Sequence, residues 1–186
     1  MAGKGLFVTI FLVASLELLN FQNQKLLPAF FESLNIRKFV GMPEPIWTYG
    51  TTAKFYVRCK VDVQKSVTKA SISFRRRYYI DEQSHWTIKN LEGLFPKNQK
   101  DVMQIRPPGE RFNAKETIIY VGAKYDCALI KVTPVAQGVA PYFDLRVLNS
   151  SVTHGVDPRC LKQFAGFGER GRIIYGCRCQ EIFRID

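Results

Sequence analysis

The sequence predicts an all-β-dominated protein, an antiparallel barrel or sandwich with short helices at its edges. Three observations predict it. Apolar and polar residues alternate with period 2 along much of the 186-residue chain. The alternating segments are short and are broken by turn residues such as Pro107-Pro108-Gly109 and the stretch between Pro134 and Pro141. Helical spacing is confined to the ends. With 46% hydrophobic and 23% charged residues, a chain of this length folds around one core and is too short for a multi-domain enzyme.

The elements follow in order. Lys4 precedes a nearly continuous apolar run over residues 6–19 that ends at polar NFQNQK, which reads as a secretory signal peptide over 1–20 with the cleavage site left open. Residues 21–186 then form a single domain, secreted and, with no second long apolar run, expected to lack a membrane span. The segment 27–34 (LPAFFESL) has helical spacing. Over 54–63, Phe55, Val57, Cys59, Val61 and Val63 alternate with Lys54, Tyr56, Arg58, Lys60 and Asp62, which predicts a half-buried strand with one apolar and one polar face. Further strands are expected over 71–80, 84–89, 101–106, 116–121, 127–133, 142–148 and 172–175. Asp157-Pro158 supplies an N-cap and a proline at the first helical position, opening a short helix to Gly166.

Chemistry-bearing motifs are few. Gly166 to Gly171 spells G-x-G-x-x-G, but it follows a helix, opens none, and lies too near the end of the sequence for the acidic partner of a dinucleotide site. Without a triad, a P-loop or a metal-ligand pattern, neither an enzyme nor a cofactor or metal is expected. The net charge of +11 raises an anionic partner. Arg75, Arg76 and Arg77 do not make one basic surface, because on a strand Arg76 points opposite to its neighbours, and nucleic acid is not expected. In a secreted chain Cys59, Cys127, Cys160, Cys177 and Cys179 read as two disulfides and one leftover thiol, and Asn149-Ser150-Ser151 as a glycan acceptor at Asn149.

The stretches EPIWTYGTTAKFYVRCKVDV (44–63), YDCALIKV (125–132), YFDLRVLNSSV with PRCLKQF, and IIYGCRCQEIF resemble, in order and spacing, the histamine-binding-protein-like salivary lipocalins of ticks. The resemblance implies an eight-stranded antiparallel lipocalin barrel with short N-terminal and late C-terminal helices. It also implies a secreted salivary protein that sequesters a small host mediator without turnover or cofactor, suppressing inflammation and haemostasis. A biogenic amine such as histamine or serotonin is expected first. An anionic lipid mediator (leukotriene, thromboxane or fatty acid) or a host immune protein is the alternative.

On the family's pattern, Glu44 and Asp144 fall at the two acids that hold an amine and Trp47 at the pocket aromatic, with Phe112 or Tyr120 as further walls. The pattern is broken at Val40-Gly41, at Ala128 and at Arg146, which stands where an aromatic is expected and brings a cation toward the cavity, able to pair a fatty carboxylate. By position and by analogy with the family's Cys-Gln ending, Cys59 is expected to join Cys179 and Cys127 to join Cys160; Cys177 competes for the same partner as Cys179. Alternation alone gives a different picture of the site. It turns Phe143, Leu145 and Val147 to the core and leaves Asp144 and Arg146 in water; Trp47 then reads as a barrel-floor core residue, and Glu44, beside prolines, as a solvated loop residue.

Overall fold

The computed structural model describes residues 34–81, 85–167 and 171–184. The expected signal peptide and all but the last residue of the helix expected over 27–34 lie outside them. The described chain opens with α1 (Ile36–Val40), whose first turn is capped by the Asn35 side chain accepting from the Lys38 amide at 3.2 Å. Eight strands follow: β1 (Ile46–Thr51), β2 (Val57–Val67), β3 (Ser71–Ile80), β4 (His85–Leu94), β5 (Val102–Arg106), β6 (Ala114–Val121), β7 (Cys127–Pro134) and β8 (Tyr142–Leu148). Each pairs antiparallel with the next, and β1 pairs with both β2 and β8, which closes the sheet into a barrel. Two helices, α2 (Asn149–His154) and α3 (Pro158–Ala165), a two-residue strand β9 (Arg172–Ile173) on β1, and a 3-10 helix (Cys177–Arg184) complete it.

The strand expected over 54–63 begins later and is broken in phase. Cys59 takes a positive φ of 52°, and the β2–β3 register shifts between Arg58 and Val61, the signature of a bulge. A one-residue insertion swaps the faces of everything beyond it. Val57 therefore lines the barrel cavity, while Val61 and Val63 face outward into the layer beneath the tail and Lys60, Asp62 and Gln64 face inward. The expectation of one apolar face over the whole segment fails at that bulge.

Two apolar layers result. Inside, Ile36, Phe39 and Val40 of α1 pack with Ile72, Phe74, Met103, Ile118 and Ile130 and close one end of the barrel. Outside, Trp47, Val61, Leu129, Leu145 and Val147 are roofed by Val152 of α2, Phe164 of α3 and Ile182 of the 3-10 helix. The Asp157 side chain caps α3 at the Arg159 amide (2.7 Å), and Phe164 reaches β1 because Gly50 has no side chain: a Cβ there would stand 2.8 Å from the Phe164 ring. Two disulfides pin this roof, Cys59–Cys179 across 120 residues and Cys127–Cys160 across 33, and Cys177 is an exposed free thiol. In the chain-entropy account each bridge stabilises by about 3–5 kcal/mol, the longer loop by more.

A candidate ligand site: a cation-lined cavity over a buried ionic belt

Because the outer apolar faces are covered, polar residues of β2, β3, β6 and β8 are turned into the barrel. Asp62 and Arg76 are cross-strand partners, and the Arg76 guanidinium donates to both Asp62 oxygens at 2.7 Å. Its Nη2 also reaches Glu116 at 3.1 Å. Arg146 donates through Nη1 and Nη2 to the two Glu116 oxygens at 2.7 and 2.6 Å. Lys60 donates to Asp144 Oδ2 at 2.7 Å, and Arg146 stands 3.7 Å from both Asp144 and Asp62. Three cations thus face three carboxylates in one connected belt, with Arg146 at 1% and Glu116 and Asp144 at 0% side-chain exposure.

Charges buried this deeply persist only when matched, since an isolated one costs several kcal/mol. The pKa directions follow. Burial would raise the Glu116 carboxyl, but Arg146 and Arg76 outweigh it and hold it far below the ordinary carboxylate range. Asp144 is likewise lowered, by Lys60 and Arg146 acting against burial. The Arg146 guanidinium, penalised by burial, is nevertheless held more firmly protonated by Glu116. Lys60 goes the other way: burial lowers its ammonium, and Asp144 offsets this only in part.

The belt divides the barrel interior. On the closed side Arg146, Asp62 and Glu44 border a void of about 10 Å³ among Val40, Ile72, Phe74 and Met103, room for about one water. On the other side lies a cavity of about 730 Å³, within the roughly 300–1,000 Å³ range of small-molecule sites. Its walls are Val57, Leu91, Ile105 and Val132 with the aromatics Phe55, Tyr56, Tyr78 and Tyr142. Four cations, Lys54, Lys60, Arg76 and Lys89, also line it, and no Asp or Glu does among the described residues. Arg76 commits Nε and Nη2 to the belt, and its Nη1 donates no hydrogen bond among the described residues. Burial pushes the Tyr142 phenol well above its ordinary pKa, so it stays a neutral hydrogen-bond donor. The Arg172 guanidinium donates to the Ala53 and Phe55 carbonyls, and Phe55, a wall of the cavity, packs edge-on against Tyr142 at 5.4 Å.

The residues expected to hold an amine do not converge. Asp144 is buried inside the barrel, contrary to the solvated face that alternation assigned, yet its carboxylate already serves Lys60 and Arg146. Arg146 is also inside, turned from the cavity and clamped by Glu116. Glu44 accepts from the Ser150 amide (2.7 Å) and hydroxyl (3.1 Å), capping the first turn of α2. Trp47 is fully buried on the outer side, its indole N–H donating to Asn149 Oδ1 at 2.8 Å and its ring edge-on to Tyr175 and Phe183. Tyr120 packs in that outer layer too, and Phe112 lies under the Arg106 guanidinium, 5.5 Å from its ring centre, away from the cavity lining. The half-buried Asn149 side chain, the expected glycan acceptor, receives a second hydrogen bond from Gln180 at 2.9 Å.

Lys60, Arg76 and Lys89 were not expected at the site. One signal was present: the alternation that separates Arg76 from Arg75 and Arg77 also places it on the face of Phe74 and Tyr78, both inside.

No protein-family model and no curated protein sequence matches the chain. Solved structures do. The serotonin complex of AM182 superposes with a TM-score of 0.59 at 16% identity, over 82% of this chain and 97% of that one. Apocrustacyanin C2 gives 0.58 at 8%, over 82% and 86%, and the major allergen Per a 4 from cockroaches 0.54 at 11%, over 83% and 96%. The closed eight-stranded antiparallel barrel with few short helices is the lipocalin fold. Among the described residues no helix is long and apolar enough to cross a membrane, and no cluster of His, Cys, Asp or Glu is arranged to hold a metal ion.

Proposed function

We propose that this protein is a secreted lipocalin of the blood-feeder salivary type. It captures an anionic amphiphile, a fatty-acid-like mediator, by stoichiometric binding in the barrel cavity. The observation that carries this reading is the cavity lining: four cations, no carboxylate among the described residues, and apolar or aromatic walls. An acyl chain gains about 0.8 kcal/mol per buried methylene, and a carboxylate meeting Arg76 and the Tyr142 phenol forms charge-assisted hydrogen bonds. The two disulfides support an oxidising, extracellular setting.

The amine reading loses its chemistry here. Asp144 is neutralised within a belt of equal positive and negative charge, so a bound ammonium would be a fourth, unmatched cation beside Lys60 and Arg76. The serotonin in the AM182 complex supports a small ligand in this type of barrel, and at 16% identity the fold is what the likeness transmits. Displacement of a fluorescent fatty-acid probe tests the proposal. Palmitate is expected to displace it with a stoichiometry of one, and serotonin to leave it bound; displacement by serotonin alone would restore the amine reading.

A further inference from the structure

Lys60 is the one cation of the belt that holds a single hydrogen-bonded carboxylate and also lines the cavity. Arg146 is gripped by both Glu116 oxygens and Arg76 by Asp62 and Glu116, but among the described residues Lys60 donates only to Asp144 Oδ2, at 2.7 Å, and its ammonium has two more protons to direct elsewhere. It is 6% exposed, whereas the other cavity lysines, Lys54 and Lys89, are exposed to water. From this geometry we propose that Lys60 is a site of reversible covalent capture, at which a long-chain aliphatic aldehyde in the cavity condenses with the amine to a protonated imine whose counter-ion is Asp144. The inference rests on the cavity being the amphiphile site.

The step balances without any further reactant. Lys60 gives one proton to its surroundings and the Nζ lone pair attacks the carbonyl carbon, the C=O π pair moving to oxygen to give a carbinolamine. One nitrogen proton passes to that oxygen, the resulting hydroxyl takes back the proton first released and leaves as water as the nitrogen lone pair forms C=N, and the nitrogen ends with one proton and a positive charge. Overall, R–NH3+ and R′–CHO give R–NH+=CH–R′ and water.

Three features favour this step at Lys60. The product keeps the positive charge, so the three-against-three belt stays matched and Asp144 keeps its partner. The apolar walls Val57, Leu91, Ile105 and Val132 hold the alkyl chain beside Lys60, whose own 6% exposure limits the access of water to the imine. Attack needs the free amine, and burial, assisted by Arg76 of β3 and Arg146 of β8, lowers the ammonium against the opposing pull of Asp144 and Asp62.

The test uses the full disulfide-bonded protein with hexadecanal as probe, borohydride to reduce any imine, and peptide mapping. Wild type is expected to gain one aldehyde less one oxygen, located on Lys60. Lys60→Arg, which keeps the charge but forms no imine, is expected to lose that label, and Lys54→Arg and Lys89→Arg to retain it. Excess palmitate should suppress labelling, and guanidinium-unfolded protein should spread it over many lysines. Label on Lys54, Lys89 or surface lysines with none on Lys60 overturns the proposal. The wild-type map decides this even where Lys60→Arg folds poorly. Native mass spectrometry with palmitate separates the two readings: palmitate bound without label at Lys60 refutes covalent capture and leaves the cavity reading standing, and label at Lys60 without palmitate binding keeps the cavity as an aldehyde site and refutes the carboxylate as its ligand.

Discussion

Replacing Glu116 by Gln probes the ionic belt at its centre. Glu116 is fully buried and receives three charge-assisted hydrogen bonds, two from Arg146 at 2.7 and 2.6 Å and one from Arg76 at 3.1 Å. Gln keeps the shape, removes one negative charge, and turns an amide NH2 toward guanidinium donors. The belt is then left with three cations against two carboxylates. Removing one member of a buried ion pair costs about 3–5 kcal/mol, and each kcal/mol moves Tm by about 2–4 °C in a domain of this size. A fall of roughly 6–20 °C in Tm follows from those two ranges. Circular-dichroism melts and guanidinium titrations, with an unchanged m-value as the control for a two-state native fold, measure it. The companion is the double variant Glu116→Leu with Arg146→Met. It removes the two charges together, leaves the Lys60–Asp144 and Arg76–Asp62 pairs, and is expected to cost less than Glu116→Gln alone. A loss below about 1 kcal/mol in Glu116→Gln, where about 3 or more is due, refutes the belt as described. A double variant whose loss equals the sum of its singles refutes it too.

Three further outcomes follow from the placement of the other groups. Trp47→Ala removes a fully buried ring and should cost about 3–5 kcal/mol in a melt, with fatty-acid affinity of the folded fraction unchanged, because the Trp47 ring packs on the outer side of the barrel wall. Glu44→Gln should lower stability by about 1 kcal/mol through loss of the α2 cap and leave ligand titrations untouched. The folded-state pKa values of Asp144 and Glu116 lie below their unfolded values of about 3.9 and 4.3, so their stabilising contribution is fully present above about pH 4–5 and is lost as pH falls through the lower folded values. A Tm series against pH should be flat from neutral to about pH 5 and fall steeply below about pH 4, more shallowly in Asp144→Asn.

The sequence reveals the barrel better than its contents. β3 and β8 coincide with the expected 71–80 and 142–148, where β-branched and aromatic residues are dense and turn residues bound the run. β1 passed unmarked: Ile46, Trp47, Thr48 and Tyr49 alternate between the inner and outer layers, both of which are covered, so no polar face announces the strand. That same double coverage decides the fate of Asp144 and Arg146. Alternation states that they share a face opposite Leu145 and Val147, which is correct. It cannot state which face is the barrel interior, because α3 and the 3-10 helix make the outer side as apolar as a core. The partners that neutralise them, Lys60 and Glu116, stand 84 and 30 residues away along the chain, and Lys60 turns inward through the bulge at Cys59. No local pattern carries that information.

The most direct test of the account is the sign of charge that the cavity prefers. Isothermal titration of wild-type protein with palmitic acid, hexadecanol and hexadecylamine holds the chain constant and changes only the polar end. Lys54 and Lys89, added to a belt in which Lys60 and Arg76 are already matched, leave the lining with an excess of positive charge and no Asp or Glu among the described residues, which predicts the order acid, alcohol, amine. The acid should exceed the alcohol by about 1.5–3 kcal/mol, roughly tenfold to a hundredfold in Kd, the worth of hydrogen bonds to a charged group. An amine that binds as tightly as the acid, or tighter, would contradict the account.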